Sequence, residues 1–287
     1  LSEAMTYSLL SAKTLEDTGF SLEKGRGVHR IVNPVSAEQE YFRPSLLPGL
    51  LGAALFNAHR KAASVKLFEV GNCYLSGREA TALGVAFSGA LEENWRRKEK
   101  AGFYDVKGVA ENALRFVGAQ VREEEGLPEG SPFEYGSRFL AQDGGLVGLV
   151  GSVHPRVLAK WDLPHEVYFA EINLNSAFGS VISPDALKVK PVPRYPSVRR
   201  DVAFVVDGSV RVKALEEAMR KAAPGVLRDV QLFDQFTGKN IPQGKRSLAF
   251  SLSYQKDTGT FTDDEINELQ RRVGDALKGG FGVEFRA

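Results

Sequence analysis

At 287 residues, 43% hydrophobic and 25% charged, the chain has the composition of an ordinary globular protein with room for two cored domains. Its net charge of +1 hides an asymmetry: residues 1–186 hold 19 Lys and Arg against 23 Asp and Glu, and residues 187–287 hold 18 against 13, so only the second part is suited to a polyanion. One cysteine, Cys73, excludes an internal disulfide and a cysteine-rich zinc site; His29, His59, His154 and His165 lack metal-ligand spacing, and no apolar run is long enough for a membrane helix.

The chain opens on Leu1 with neither a charged n-region nor an apolar h-region, so no secretory signal is expected, and it reads as a piece of a longer cytoplasmic protein. Residues 4–11 read as a strand and residues 14–20 as a short helix interrupted by Gly19. Gly25 and Gly27 make a turn, and residues 28–32 alternate as an exposed strand does before Asn33-Pro34 punctuates. Ser45 is placed to cap a helix with Pro48 in its first turn and Leu47, Leu50, Leu51, Ala54, Leu55 and Ala58 as its apolar stripe. A strand over residues 66–74 follows, with Cys73 as a small buried hydrophobe.

Trp95, Arg96, Arg97, Lys98 and Lys100 read as a solvated loop, with RNA contact as the alternative. Asp105 caps a helix carrying Val106, Val109, Ala113 and Phe116. Gly144, Gly145, Gly148 and Gly151 alternate with Leu146, Val147, Leu149 and Val150 as in a close-packed hairpin, and no Lys-Ser/Thr follows, which argues against a phosphate loop. His154 caps or packs against the next helix, and residues 167–175 form a strand.

Residues 183–193, with three prolines, are the expected linker, dividing a domain over 1–186 from one over 187–287. The second domain reads strand 198–206, helix 210–222, strand 226–236, strand 246–254, helix 263–278 and strand 281–286. That is βαββαβ, a four-stranded sheet with both helices on one face. Thr262 and Glu265 make a capping box for the second helix, and Lys278-Gly279-Gly280 ends it.

The two middle strands flank a long basic loop. Leu248, Phe250, Leu252 and Tyr254 point one way, while Ser247, Ala249, Ser251 and Ser253 point to the open side. By the same parity Asp234 and Phe236 share a face. An acceptor, an aromatic plane and a hydroxyl, with Lys239, Lys245 and Arg246 beside them, suit an unstacked base with its phosphates. A solvated hairpin with an ordinary buried Phe is the alternative.

PVPRYPSVRRDVAFVVDG (191–208), LFDQFTGKNIPQGKRSLAFSL (232–252) and TFTDDE (260–265) together resemble the ferredoxin-like anticodon-binding domain of the bacterial phenylalanyl-tRNA synthetase β subunit family. FRPSLLPGLL (42–51), LFEVG (67–71), FYDVKG (103–108) and GSVHP (151–155) resemble the synthetase-like module of the same family, in the family's order. The resemblance implies an α+β chain: a class II synthetase-like antiparallel sheet backed by helices, then the ferredoxin-like domain. It implies a heterotetramer of two α and two β subunits that joins phenylalanine to tRNA-Phe with ATP and Mg2+. The α subunit performs the chemistry, the synthetase-like module of β packs on α, and the ferredoxin-like domain receives the anticodon stem-loop.

Carried over residue by residue, Phe236 stacks on the first anticodon base and Asp234 and Ser247 hydrogen-bond it. Arg194, Arg199 and Arg200 are phosphate candidates alongside Lys239, Lys245 and Arg246; an internal Arg200–Asp201 ion pair is the alternative for Arg200. Many relatives carry Tyr where this chain has Phe236. Class II catalysis places Arg and Glu around the ATP phosphates, and here only Arg78 and Glu79 echo them, with no Gly-rich, Arg-bearing strand at 167–175. This stretch is therefore expected to bind no cofactor or metal and to be non-catalytic alone. A free-standing RNA-binding or regulatory protein built from the same modules is the competing reading.

Overall fold

The computed structural model describes residues 1–22, 27–75, 77–93, 98–128, 130–180, 193–238 and 240–285, with the side chains of 93 and 98 excepted. Gly25, Trp95, Arg96, Arg97, the Lys98 side chain, nearly all of the expected linker with the boundary after 186, and Lys239 lie outside them. The chain divides into two compact units, Leu1–Lys188 and Val189–Ala287.

The first unit is built on β1 (Ser2–Glu3), β2 (Leu9–Leu10), α1 (Ala12–Thr18), β3 (Tyr41–Phe42), α2 (Leu47–His59), β4 (Ser64–Leu75), β5 (Arg78–Glu93) and β6 (Lys98–Lys100). There follow α3 (Phe103–Phe116), β7 (Val121–Glu125), β8 (Phe133–Ala141), β9 (Leu146–Val153), α4 (Pro155–Lys160), β10 (Val167–Asn173) and α5 (Leu174–Gly179). The main sheet runs β1-β4-β5-β10-β9-β8-β7, with β6 on β5, and is antiparallel except for β1 against β4. Alternation along the central strands divides its side chains between two apolar layers. Val167 and Phe169 of β10 with Ala82 and Ala86 of β5 meet Leu47, Leu50, Leu51 and Ala54 of α2 and Val157 of α4. Tyr168, Ala170 and Ile172 with Val85 and Phe87 face Val106, Ala110 and Leu114 of α3 on the other side.

Several expectations need correcting. Residues 4–11 are not one strand: within them only β2 is a paired strand, while β1 lies just ahead, because Thr6 turns inward and gives its N–H and hydroxyl to the Glu69 carboxylate at 3.2 and 2.7 Å. Residues 28–32 make a single bridge, Arg30 to Tyr41, since β3 is only two residues long and Pro44 follows it closely. Ser45 sits one residue outside the cap position, held by Leu46, although its hydroxyl does accept the Leu47 N–H at 3.1 Å. Asp105 caps α3 from inside, accepting the Gly102 N–H at 2.8 Å, and Phe116 is 85% exposed because the line 106–110–114, one residue in four, faces the sheet. His154 caps α4 as expected, its Nδ1 accepting from the Arg156 N–H at 3.0 Å.

A network of buried charge ties the quoted segments of this unit together. Arg43 and Glu69 are 4% and 2% exposed and pair at 2.7 Å. The Arg43 Nε donates to the Asn72 carbonyl at 2.8 Å and Nη1 to the Thr6 hydroxyl at 3.1 Å. Gly71 leaves the necessary room, since a Cβ there would lie 2.3 Å from Arg43 Nη2. Glu171 of β10 accepts from the Ser45 hydroxyl at 2.9 Å and the Leu46 N–H at 2.7 Å, while burial pushes its carboxyl up from the ordinary range. Burial, and after it the Glu171 charge, likewise push the Cys73 thiol up, leaving it an inert core residue.

The second unit contains β11 (Val198–Asp207), α6 (Val212–Ala222), β12 (Leu227–Phe236), β13 (Lys245–Tyr254), α7 (Asp263–Phe281) and β14 (Glu284–Phe285). The sheet order is β12-β13-β11-β14 with every neighbour antiparallel, which is the expected βαββαβ topology. Leu248, Phe250, Leu252 and Tyr254 are fully buried with Leu215 and Met219 of α6 and Ile266, Val273 and Leu277 of α7, so both helices cover one face. The Thr262–Glu265 capping box opens α7. Its end differs from expectation: the helix runs through Gly279 and Gly280, which are helix-compatible if unfavourable, and is closed by Gly282 at φ +60°.

Candidate nucleic-acid interface

The face of the second sheet opposite the helices can be read from register. Directly opposed residues in an antiparallel pair project to the same side. Val202 opposes Phe250 and Phe204 opposes Leu248, so these belong to the core side; Arg199–Ser253, Asp201–Ser251, Ala203–Ala249, Val205–Ser247 and Asp207–Lys245 belong to the open side.

On β12, Val230 and Leu232 oppose Leu252 and Phe250, again on the core side. Uninterrupted alternation would send Asp234 and Phe236 into the core as well. A register shift between Leu232 and Asp234 prevents this: Asp234 opposes Ala249 and Phe236 opposes Ser247, so both side chains emerge on the open side. Phe236 and Ser247 are cross-strand neighbours, with Cβ atoms about 4.5–5.5 Å apart, and Asp234 is diagonal to Ser247 at about 7–8 Å. The three residues expected from sequence to act together are thus brought together.

Exposure suits a planar ligand. Phe236 is 47% exposed, whereas a core Phe would be covered, and Asp234 is exposed on the outer strand. Ser247 is buried on the neighbouring strand, opposite Phe236. The ring of Phe236 rests against Gly238, where a Cβ would fall 2.6 Å from Cζ and 3.0 Å from Cε1. Gly238 therefore fixes the ring from the loop side.

The basic candidates separate. Arg199 and Lys245 lie on the open side, Lys245 pairing with Glu284 at 2.5 Å. Arg200 and Arg246 lie on the helix side. Arg200 reaches Asp263 at 3.5 Å rather than Asp201, which points the opposite way, and Arg246 donates to the Val210 carbonyl at 2.5 Å and to Gln235 at 3.4 Å. Arg194 is exposed ahead of β11. With Asp201, Asp207 and Asp234 on the same side as Arg199 and Lys245, the described residues of the open side do not form a cationic patch. They offer planes, hydroxyls and carboxylates, groups that read base edges rather than phosphates.

In the first unit, Arg78 and Glu79 stand exposed at the β4–β5 hairpin, and Glu79 accepts from the Asn72 amide at 2.5 Å. The charges on the α2 side of the sheet, Arg43, Glu69 and Glu171, are taken up by one another, Thr6, Ser45 and backbone groups. These residues do not fit a triphosphate. Among the described residues no group of three or more His, Cys, Asp and Glu could hold a metal ion, and no helix is long and apolar enough to cross a membrane.

Residues 193–286 match the model of the ferredoxin-fold anticodon binding domain, which makes the second unit a module of that class. Residues 1–174 match the model of the phenylalanyl tRNA synthetase beta chain CLM domain. The chain belongs to the phenylalanyl-tRNA synthetase beta chain family. Over its whole length it is 36% identical to a phenylalanine–tRNA ligase beta subunit of Geobacillus kaustophilus, 33% to one of Symbiobacterium thermophilum and 32% to one of Bacillus subtilis. It spans about a third of the length of these relatives, covering 36%, 33% and 36% of them.

Proposed function

We propose that this chain acts within a phenylalanine–tRNA ligase, where its first unit packs on a catalytic α subunit and its second unit receives the anticodon stem-loop of tRNA-Phe. The observation that carries the reading is the convergence of Asp234, Phe236 and Ser247 on an open sheet face through the register shift in β12. Phe236 supplies a stacking plane, worth about 1–3 kcal/mol per base. The Asp234 carboxylate is an acceptor, so it selects a base edge that presents N–H donors, and the Ser247 hydroxyl can donate or accept at the same edge. Stacking needs only the ring plane, which Phe236 supplies without a hydroxyl.

In this reading the enzyme is cytoplasmic and combines two α with two β chains. ATP and Mg2+ serve the α subunit; this chain contributes positioning of the tRNA, not a group in the transfer step. Phosphate attraction comes from Arg194, Arg199, Lys239 and Lys245, with Arg200 and Arg246 holding the helix side in place.

Binding of the chain to a tRNA-Phe anticodon stem-loop, and to one with a changed first anticodon base, at two salt concentrations tests the reading. A preference for the native loop that persists at high salt supports base readout. Equal binding to both that salt abolishes would reduce the interaction to net charge. Gly238→Ala gives a finer check. Its φ lies outside the left-handed region, so folding is expected to change by less than about 0.5 kcal/mol. The displaced Phe236 ring should nevertheless weaken stem-loop binding by about 1 kcal/mol, roughly five-fold. Unchanged affinity would mean that Gly238 has no part in aiming the ring.

A further inference from the structure

We propose that Phe233 is a second stacking platform, so that the open face holds two bases of the bound loop rather than one; this rests on the anticodon-loop reading above. Outer strand β12 carries two register shifts, between Leu227 and Asp229 and between Leu232 and Asp234. Each inserts one extra residue, so that Arg228 with Asp229 faces Ser253 and Phe233 with Asp234 faces Ala249. Ser253 and Ala249 both belong to the open side.

The two insertions differ in what they hold. Arg228 is explained by the fold: its guanidinium pairs with Asp257 at 2.5 Å. Phe233 is 54% exposed, more than Phe236 itself. An apolar ring on an outer strand invites edge-to-edge association, and such strands ordinarily carry charge there. A bulge that re-aims a side chain beside a binding site is a recurrent device, and here it serves Phe233 and Asp234 at once.

RNA is the occupant that the surroundings favour. Phe233 adjoins Asp234 and stands three residues from Phe236, about 10 Å along an extended strand. The two rings thus flank one carboxylate on a continuous face, in the more basic part of the chain. Sheets that bind single-stranded loops stack two or three splayed bases on exposed aromatics in this manner. An exposed Phe offers a sequence-tolerant plane, so the second base is held by stacking, with its identity read weakly.

The test uses the whole chain and a tRNA-Phe anticodon stem-loop, together with derivatives in which one loop base at a time is replaced by an abasic nucleotide. Phe233→Ala should weaken binding by about 5- to 150-fold, the range of base–aromatic stacking. Phe233→Leu, which keeps apolar bulk and loses the plane, should weaken it nearly as much. The Phe233→Ala loss should vanish for the derivative lacking one particular base, different from the base whose removal cancels the Phe236→Ala loss. Parental binding by Phe233→Ala, full recovery in Phe233→Leu, or cancellation at the same base as Phe236 would each overturn the proposal. If Phe236→Ala weakens binding and Phe233→Ala does not, the site takes a single base; if neither does, the anticodon reading of the face fails with it.

Discussion

Replacing Arg43 with Met is expected to destabilise the first unit by about 3–5 kcal/mol, because it leaves the Glu69 carboxylate buried without its partner cation. For a unit of this size such a loss lowers the melting temperature by roughly 6–20 °C. The Thr6 N–H and hydroxyl still donate to Glu69, but they are neutral groups. The double variant Arg43→Met with Glu69→Gln should recover part of the loss, since no unpaired charge then remains in the interior. Thermal and denaturant unfolding of the parent, both singles and the double closes the cycle. A cost below about 1 kcal/mol for Arg43→Met, the value typical of a solvated pair, would show that water reaches the site and that the network does not fasten the quoted segments together.

The second large effect concerns recognition. Phe236→Ala should weaken anticodon stem-loop binding by about 1–3 kcal/mol, 5- to 150-fold, with little change in folding stability. The ring is 47% exposed and supports no buried layer, so its removal opens no cavity in the core of Phe204, Phe250 and Tyr254. Phe236→Tyr should bind at least as well as the parent, since it keeps the plane and adds a hydroxyl that can hydrogen-bond. Affinity measurements paired with melting curves check this. A lowered melting temperature with unchanged affinity would make Phe236 a structural residue.

The second unit was largely legible because its signals are local. The strict alternation from Ser247 to Tyr254 and the Thr262–Glu265 capping box each depend on a few neighbours, and six elements appeared in the expected order. Parity also carried information about Arg246 and Arg200: the first shares a side with Leu248 and the second with Val202, which places both away from the open face. Phe233 was harder. Its bulge exists only through pairing with β13, although the sequence shows a trace of it where the apolar period of Val230 and Leu232 breaks at Asp234.

In the first unit, what escaped was long-range. Residues 4–11 have the pattern of a strand, yet Thr6 is claimed by a carboxylate 63 positions away. FRPSLLPGLL and LFEVG were recognisable as segments, but not that Arg43 of one pairs with Glu69 of the other across a space kept by Gly71. Ser45 reads as a helix cap, and its hydroxyl also serves Glu171, 126 residues on. Such pairs leave no local period for sequence reading to detect.

The most direct test of the central claim, that the open face of the second sheet receives the anticodon loop, is a nuclear magnetic resonance titration of the isotope-labelled chain with the unlabelled stem-loop. The largest shifts should fall on Ala203, Asp234, Phe236, Ser247 and Ala249, with the buried helix residues Leu215, Met219, Val273 and Leu277 unmoved. Shifts concentrated on α6 and α7, or confined to the first unit, would contradict the account.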